Sequence, residues 1–288
     1  MSKLVLGTAQ FGSNYGIKNI RGKIPEKETF DILNYAGEHE INFLDTAYNY
    51  GNAEKVIGEF MKKTSYDFNI ISKFPACSEN EVLDFFKKSI SALKVSNFYG
   101  YLIHDMNHFF GNTKIWDKML QLKKQNKVKH IGFSIYTPNE LEKIISEKFE
   151  LDIIQLPYNI LDQRFANFFQ VLNKKRVKIF VRSVFLQGLL LVNPQKLPNY
   201  FGKISRKTQA LRALSQEQKI PVSAICLQFA VLNPHIDKVI IGVDSKNNLV
   251  QNIKSFQYEA KVQAIYSQLL NFYENDEKII LPTLWPKH

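Results

Sequence analysis

Eight short apolar runs, each followed by an amphipathic stretch, leave this chain few ways to fold. The runs are 4–9 (LVLGTA), 42–47 (NFLDTA), 69–74 (NIISKF), 100–105 (GYLIHD), 130–135 (HIGFSI), 153–158 (IIQLPY), 178–184 (KIFVRSV) and 238–243 (KVIIGV). Helical periodicity fills the gaps at 26–39, 53–62, 79–93, 114–126, 138–147, 161–175, 205–219 and 222–232, and a last pair at 246–254 and 259–274 ends the chain. Strands that alternate with helices form a parallel sheet with the helices outside it, and eight such units joined by right-handed crossovers close into a barrel. The predicted fold is therefore a (β/α)8 TIM barrel of the α/β class. No linker, repeat or composition shift divides it, so residues 1–288 read as a single domain.

Local signals agree with these boundaries. Pro25 opens the first long helix, Ser78 precedes Glu79 and Glu81, and Thr137 precedes Pro138 at a first helical position. The longest irregular stretches, 10–24, 106–113 and 186–204, all follow strands. In a barrel those loops build the ligand site, so substrate selection is assigned to them and to the tail LPTLWPKH.

Charge needs weighing because the chain carries a formal +11. Its lysines fall mainly near helix ends, as at Lys123, Lys124, Lys127 and Lys129, where positive charge complements the helix dipole. No zinc-finger spacing or arginine-aromatic pattern accompanies them, so no nucleic-acid partner is expected. Without an apolar run of 18 residues or a signal-like start, no membrane partner is expected either, and the chain reads as cytoplasmic. Cys77 and Cys226 are too far apart in sequence for a metal-ligand motif and read as small apolar residues. His39, His108, His130, His235 and His288 are scattered, and no metal site is predicted.

The chemistry sits where the runs end. Asp45, Lys73 and His104 close three consecutive runs, and Tyr50 lies in the turn after the first of them. Each residue alone has an ordinary structural explanation. Together at one barrel mouth they make a proton-transfer set. Tyr50 would donate a proton to a carbonyl oxygen, Lys73 would make the phenol more acidic, Asp45 would hold Lys73 charged, and His104 would orient the carbonyl. Phe11, Tyr15, Tyr48, Phe109 and Phe110 could line the pocket or belong to the core, while Asn14, Asn49, Asn107 and His108 suit hydroxyl recognition. Gly7, Gly12 and Gly16 lack dinucleotide-fingerprint spacing and read as flexible turns.

The segments GTAQFG (7–12), FLDTAYNYGNAE (43–54), ISK (71–73), YLIHD (101–105), IGFS (131–134), IIQLPYN (153–159) and IIGVDSKNNLVQN (240–252) resemble the aldo-keto reductase superfamily in order and spacing, across nearly the whole chain. The resemblance implies a (β/α)8 barrel that binds NADP(H) at its C-terminal mouth, with Asp45, Tyr50, Lys73 and His104 as the catalytic tetrad and Tyr50 as general acid. It further implies that Ser134 and Gln155 hold the nicotinamide amide, with Ile135 where an asparagine is usual. Arg182 takes the place of a stacking aromatic. Ser183, Phe185, Gln187 and Gly188 cover the pyrophosphate, and Asn252 and Gln251 meet the adenine. Gly7, Thr8 and Gly242 complete the cofactor set. Asn248 stands where a basic residue often grips the 2′-phosphate, and Ser245 and Lys246 could replace it, so NADP(H) is expected first and NAD(H) second.

The implied activity is reduction of a small-molecule carbonyl, such as a sugar or nucleotide-linked sugar, by a monomer or homo-oligomer. An epimerase or lyase that retains its cofactor, and a cofactor-binding regulatory subunit, are the alternatives.

Overall fold

The structure, a computed structural model, describes residues 3–16 and 21–286. Part of the 10–24 loop, part of the tail and His288 lie outside the described residues. Eight parallel strands close a barrel in sequence order: β1 (Leu4–Gly7), β2 (Phe43–Asp45), β3 (Asn69–Phe74), β4 (Phe98–Ile103), β5 (Val128–Ser134), β6 (Ile153–Pro157), β7 (Lys178–Arg182) and β8 (Lys238–Gly242). β1 pairs with β8 through Leu4–Val239 and Gly7–Gly242, which shuts the ring.

The helices are α1 (Ala9–Gly12), α2 (Glu26–Glu38), α3 (Ala53–Met61), α4 (Val82–Leu93), α5 (Met106–Gly111), α6 (Ile115–Lys124), α7 (Pro138–Ser146), α8 (Phe169–Lys174), α9 (Ser205–Gln218), α10 (Val222–Val231) and α11 (Lys246–Lys254), with short helical turns over 255–284. α10 is buried at every position except Ser223. Among the described residues no helix is long and apolar enough to cross a membrane. The Thr137 start is a full capping box, in which Glu140 N–H donates to Thr137 Oγ1 and Thr137 N–H donates to Glu140 Oε2.

Several boundaries differ from the sequence reading. The first run ends at Gly7, because Thr8 leaves the strand and precedes α1. The expected loop at 106–113 contains α5, started by Asp105, whose carboxylate accepts from His108 N–H. The expected helix 161–175 is helical only from 166, since Asp162 is buried against the Arg164 guanidinium and holds the chain in a turn. The 259–274 segment is broken into short pieces. Phe11 and Phe109 are core residues; Phe109 packs with Trp116, Phe133 and Phe149 outside the barrel wall. Trp285 closes the tail against Phe201.

Side chains alternate between the two faces of a strand, so every second residue points into the barrel. Val5, Phe43, Ile71, Leu102, Ile153, Phe180 and Ile240 form an apolar plug there, each contributing roughly 1.5–3 kcal/mol by leaving water. Two residues further along each chain come Gly7, Asp45, Lys73, His104, Gln155, Arg182 and Gly242. The layer above the plug is thus polar on most strands and has no side chain on β1 and β8.

Candidate active site

Lys73 is fully buried, and its ammonium spends all three donors: on Asp45 Oδ2 at 2.8 Å, on the Thr46 carbonyl at 2.8 Å and on the Tyr50 hydroxyl oxygen at 3.4 Å. Asp45 is satisfied on its other oxygen by Gln155 Nε2 at 2.7 Å, and Gln155 Oε1 in turn accepts from Ser134 Oγ at 3.1 Å. Buried charges survive only when paired and hydrogen-bonded, and this chain of contacts meets that condition. Because Lys73 donates into the phenol oxygen, the Tyr50 proton is left to point elsewhere. Beside Lys73, Glu54 at the start of α3 accepts from Ser72 Oγ at 2.6 Å and ties that helix to β3.

The Tyr50 loop is fixed by backbone contact with the first βα unit. A Cβ on Gly12 would lie 1.7 Å from the Tyr50 carbonyl, and one on Gly51, whose φ is +60°, would lie 2.2 Å from the Gly12 carbonyl. Gly12 is therefore required for close approach and is no flexible turn. His104 faces the phenol with ring centroids 6.1 Å apart, and among the described residues its ring nitrogens make no hydrogen bond.

The electrostatics differ from the sequence expectation for Tyr50. Burial, followed by the Asp45 charge, pushes the phenol above its ordinary value, and the opposing pull comes from Arg182. Lys73 donates into the phenol oxygen at 3.4 Å, but that contact does not outweigh burial and the Asp45 charge. Burial lowers the Lys73 ammonium itself, with Asp45 opposing. Tyr50 is thus a proton carrier that stays protonated at neutral pH. His104 is held at about 3 by burial, reinforced by Lys73 and Arg182, so its imidazole is neutral.

The His104 shift has a stability consequence. The unfolded chain takes up a proton near 6.5 that the folded chain refuses until about 3. His104's contribution is therefore complete above pH 6.5 and is lost as pH falls toward 3. In urea unfolding series across pH 7 to 4, wild type should lose stability more steeply than His104→Gln; parallel curves would contradict the burial of a neutral imidazole.

From Tyr50 a groove of about 640 Å³ runs over β1 and β8, lined by Gly7, Thr8, Gln10, Tyr15, Arg182, Ser183, Phe185, Gln187, Gly188, Gly242, Asp244, Asn248, Gln251 and Asn252, among others. That size suits a cofactor. Gly7 and Gly242 pair across the β1–β8 seam, and a Cβ on Gly242 would press on Gln10 at 3.0 Å, so the missing side chains keep the groove open. Ser183, Leu186, Gln187 and Gly188 all take positive φ in the wall after β7, and Asn159 Nδ2 braces the Ser183 carbonyl at 3.0 Å. Such strained backbone is characteristic of ligand sites. Gln187 Nε2 also donates to Tyr15 Oη at 3.3 Å, linking the loops after β1 and β7.

Most cofactor residues expected from sequence therefore share this groove. Ser134 and Gln155 do not line it; they are buried beneath Asp45. Ser245 and Lys246 are also absent from its wall. Ser245 caps α11, and Lys246 Nζ lies over the Tyr35 ring at 5.2 Å. Arg182 stacks its guanidinium on Tyr136 at 4.1 Å and donates to the Ile135 carbonyl at 2.9 Å. Sequence reasoning missed Tyr136, Gln10, Asp244 and Arg212. Tyr136 and Asp244 each lie two residues past a strand, a usable signal, but Arg212 sits inside α9 with none.

The sequence profile of the Aldo/keto reductase family matches residues 3–270. No curated protein sequence matches the chain. In structure it is similar to aldo-keto reductase AKR11C1 from Bacillus halodurans in its holo form, with a TM-score of 0.76 at 19% identity, covering 96% of this chain and 94% of that one. It is also similar to PA4992 from Pseudomonas aeruginosa, with a TM-score of 0.68 at 18% identity over 91% and 90% of the two chains. At these identities the likeness speaks for the fold.

Proposed function

We propose that this chain, which belongs to the aldo-keto reductase family, interconverts a small-molecule carbonyl and its alcohol with a nicotinamide dinucleotide, NADP(H) or NAD(H). The observation that carries this reading is the Tyr50 hydroxyl, backed by the buried Lys73–Asp45 pair, at one end of a groove of cofactor size. Gly7, Thr8, Ser183, Phe185, Gln187, Gly188, Gln251 and Asn252 would hold the dinucleotide, whose bound nicotinamide supplies or accepts the hydride.

The protein's share is proton handling and orientation. Tyr50 gives its proton to the carbonyl oxygen as charge develops there, and Lys73 Nζ, 3.4 Å behind the phenol oxygen, stabilises the negative charge left on it. Asp45 and Thr46 keep Lys73 in place. A neutral His104 can offer one N–H to the same carbonyl, fixing its direction without bringing a second charge into a buried site. Reversing these roles gives alcohol oxidation.

The substrate we assign is a polar carbonyl, a sugar or nucleotide-linked sugar, on account of exposed Asn49 in the turn before Tyr50 and exposed Asn107 on α5, which follows His104. Fluorescence titration with NADPH and NADH, followed by a panel of aldoses, keto-sugars and aromatic aldehydes, tests the assignment. Saturable binding with oxidation of the reduced nucleotide on one class supports it, and absence of binding by both nucleotides would remove it.

A further inference from the structure

The two ends of the groove differ in chemistry. One end holds Tyr50, beside which a nicotinamide must sit to serve the reaction. The adenosine half of a dinucleotide then extends to the other end, among Asp244, Asn248, Gln251 and Asn252. That end offers acceptors. Asp244 presents a carboxylate that accepts from Asn248 Nδ2. Gln10, beside Gly242 on the same wall, has a buried Oε1 without a hydrogen-bond partner among the described residues.

Of the groove's cations, Arg212 donates Nη2 to the Leu191 and Val192 carbonyls and keeps a buried Nε without a partner among the described residues, whereas Arg21 and Lys246 beside Asp244 are committed elsewhere. Arg21 grips Glu28 with both terminal nitrogens, at 3.1 and 2.7 Å, and touches only the backbone carbonyl of Asp244 at 3.3 Å. Lys246 lies over Tyr35 and is not part of the groove wall. The N-terminus of α11 would ordinarily attract an anion. Here Asp244 itself precedes the Ser245 cap and supplies that negative charge.

From the Asp244 carboxylate, the unpartnered Gln10 oxygen and the commitment of Arg21 and Lys246 we infer that the far end of the groove selects a ribose with a free 2′-hydroxyl, so the protein binds NAD(H) in preference to NADP(H). The inference rests on the dinucleotide reading above and narrows it. A hydroxyl can donate to Asp244 or Gln10. A phosphate only accepts and carries a negative charge of about 1.5 to 2, so beside the Asp244 carboxylate it meets repulsion that a hydroxyl does not. Doubly wound dinucleotide-binding folds make the same choice, with an acidic side chain for the 2′-hydroxyl and an arginine for the 2′-phosphate.

The test is a fluorescence titration of the full-length protein with NADH and with NADPH, repeated on Asp244→Ser and Asp244→Asn. Wild type should bind NADH at least about 10-fold tighter than NADPH. Both variants should narrow that ratio, chiefly by improving NADPH binding, a gain that a misfolded variant could not produce. Equal or tighter binding of NADPH by wild type would overturn the inference and leave the dinucleotide reading standing, as would an unchanged ratio in both variants. Failure of both nucleotides to bind wild type would overturn the dinucleotide reading and this inference with it.

Discussion

Replacing Tyr50 with Phe should lower carbonyl turnover by about 10²–10⁴-fold, the range expected when one positioned proton donor is lost. The ring that packs on His104 and lies under Lys73 Nζ, 5.0 Å from its centroid, is retained. Only the hydroxyl goes. Dinucleotide affinity should therefore change little, and single-turnover rates should fall as far as steady-state rates because the lost contact acts in the chemical step. A Phe variant with wild-type turnover would mean that the carbonyl takes its proton from elsewhere, and the role given to Tyr50 would have to be withdrawn.

Lys73→Met should be damaging in two separate ways. It removes the cation behind the phenol, and it leaves Asp45, which is 3% exposed, as a buried carboxylate without its ammonium. Breaking a buried pair from one side costs about 3–5 kcal/mol. Gln155 Nε2 remains on Asp45 Oδ1, which places the expected loss toward the lower part of that range. Adding Asp45→Asn should recover much of the stability and none of the turnover, since it removes the orphaned charge without restoring the cation. Urea denaturation of the single and double variants measures the first effect, and assay of the folded double variant measures the second. Wild-type stability in Lys73→Met would show that the pair is not coupled as its geometry indicates.

The barrel was legible in the sequence because burial and periodicity coincide in each unit. Asp45, Lys73 and His104 each follow by two residues a member of the apolar plug, Phe43, Ile71 and Leu102, so a period of two already places them on one interior layer. The direction of the Tyr50 shift was not legible. It depends first on how deeply the phenol is buried, then on the Asp45 charge and on how close Arg182 comes from a strand more than a hundred residues away. α5 was hidden because six residues carry too little periodicity, and the Asp105 cap was the only signal for it. Asp244 lay in plain view within the DSKN turn, yet its bearing on the groove depends on Arg21 being held by Glu28.

The pairing of β1 with β8 also has a consequence in time. Leu4, Val5 and Leu6 find their partners at Val239, Ile240 and Ile241. At ribosomal rates those partners emerge on the order of 10–50 s after the first strand. Through that interval β1 can use only its β2 edge, and the groove is incomplete, because Gly7, Thr8 and Gln10 are made early while Asp244 to Asn252 are made late. If the groove holds a dinucleotide as proposed, a nascent chain cannot bind it until nearly all of the chain has been synthesised, and the bound ligand would span the seam between the first strand and the last.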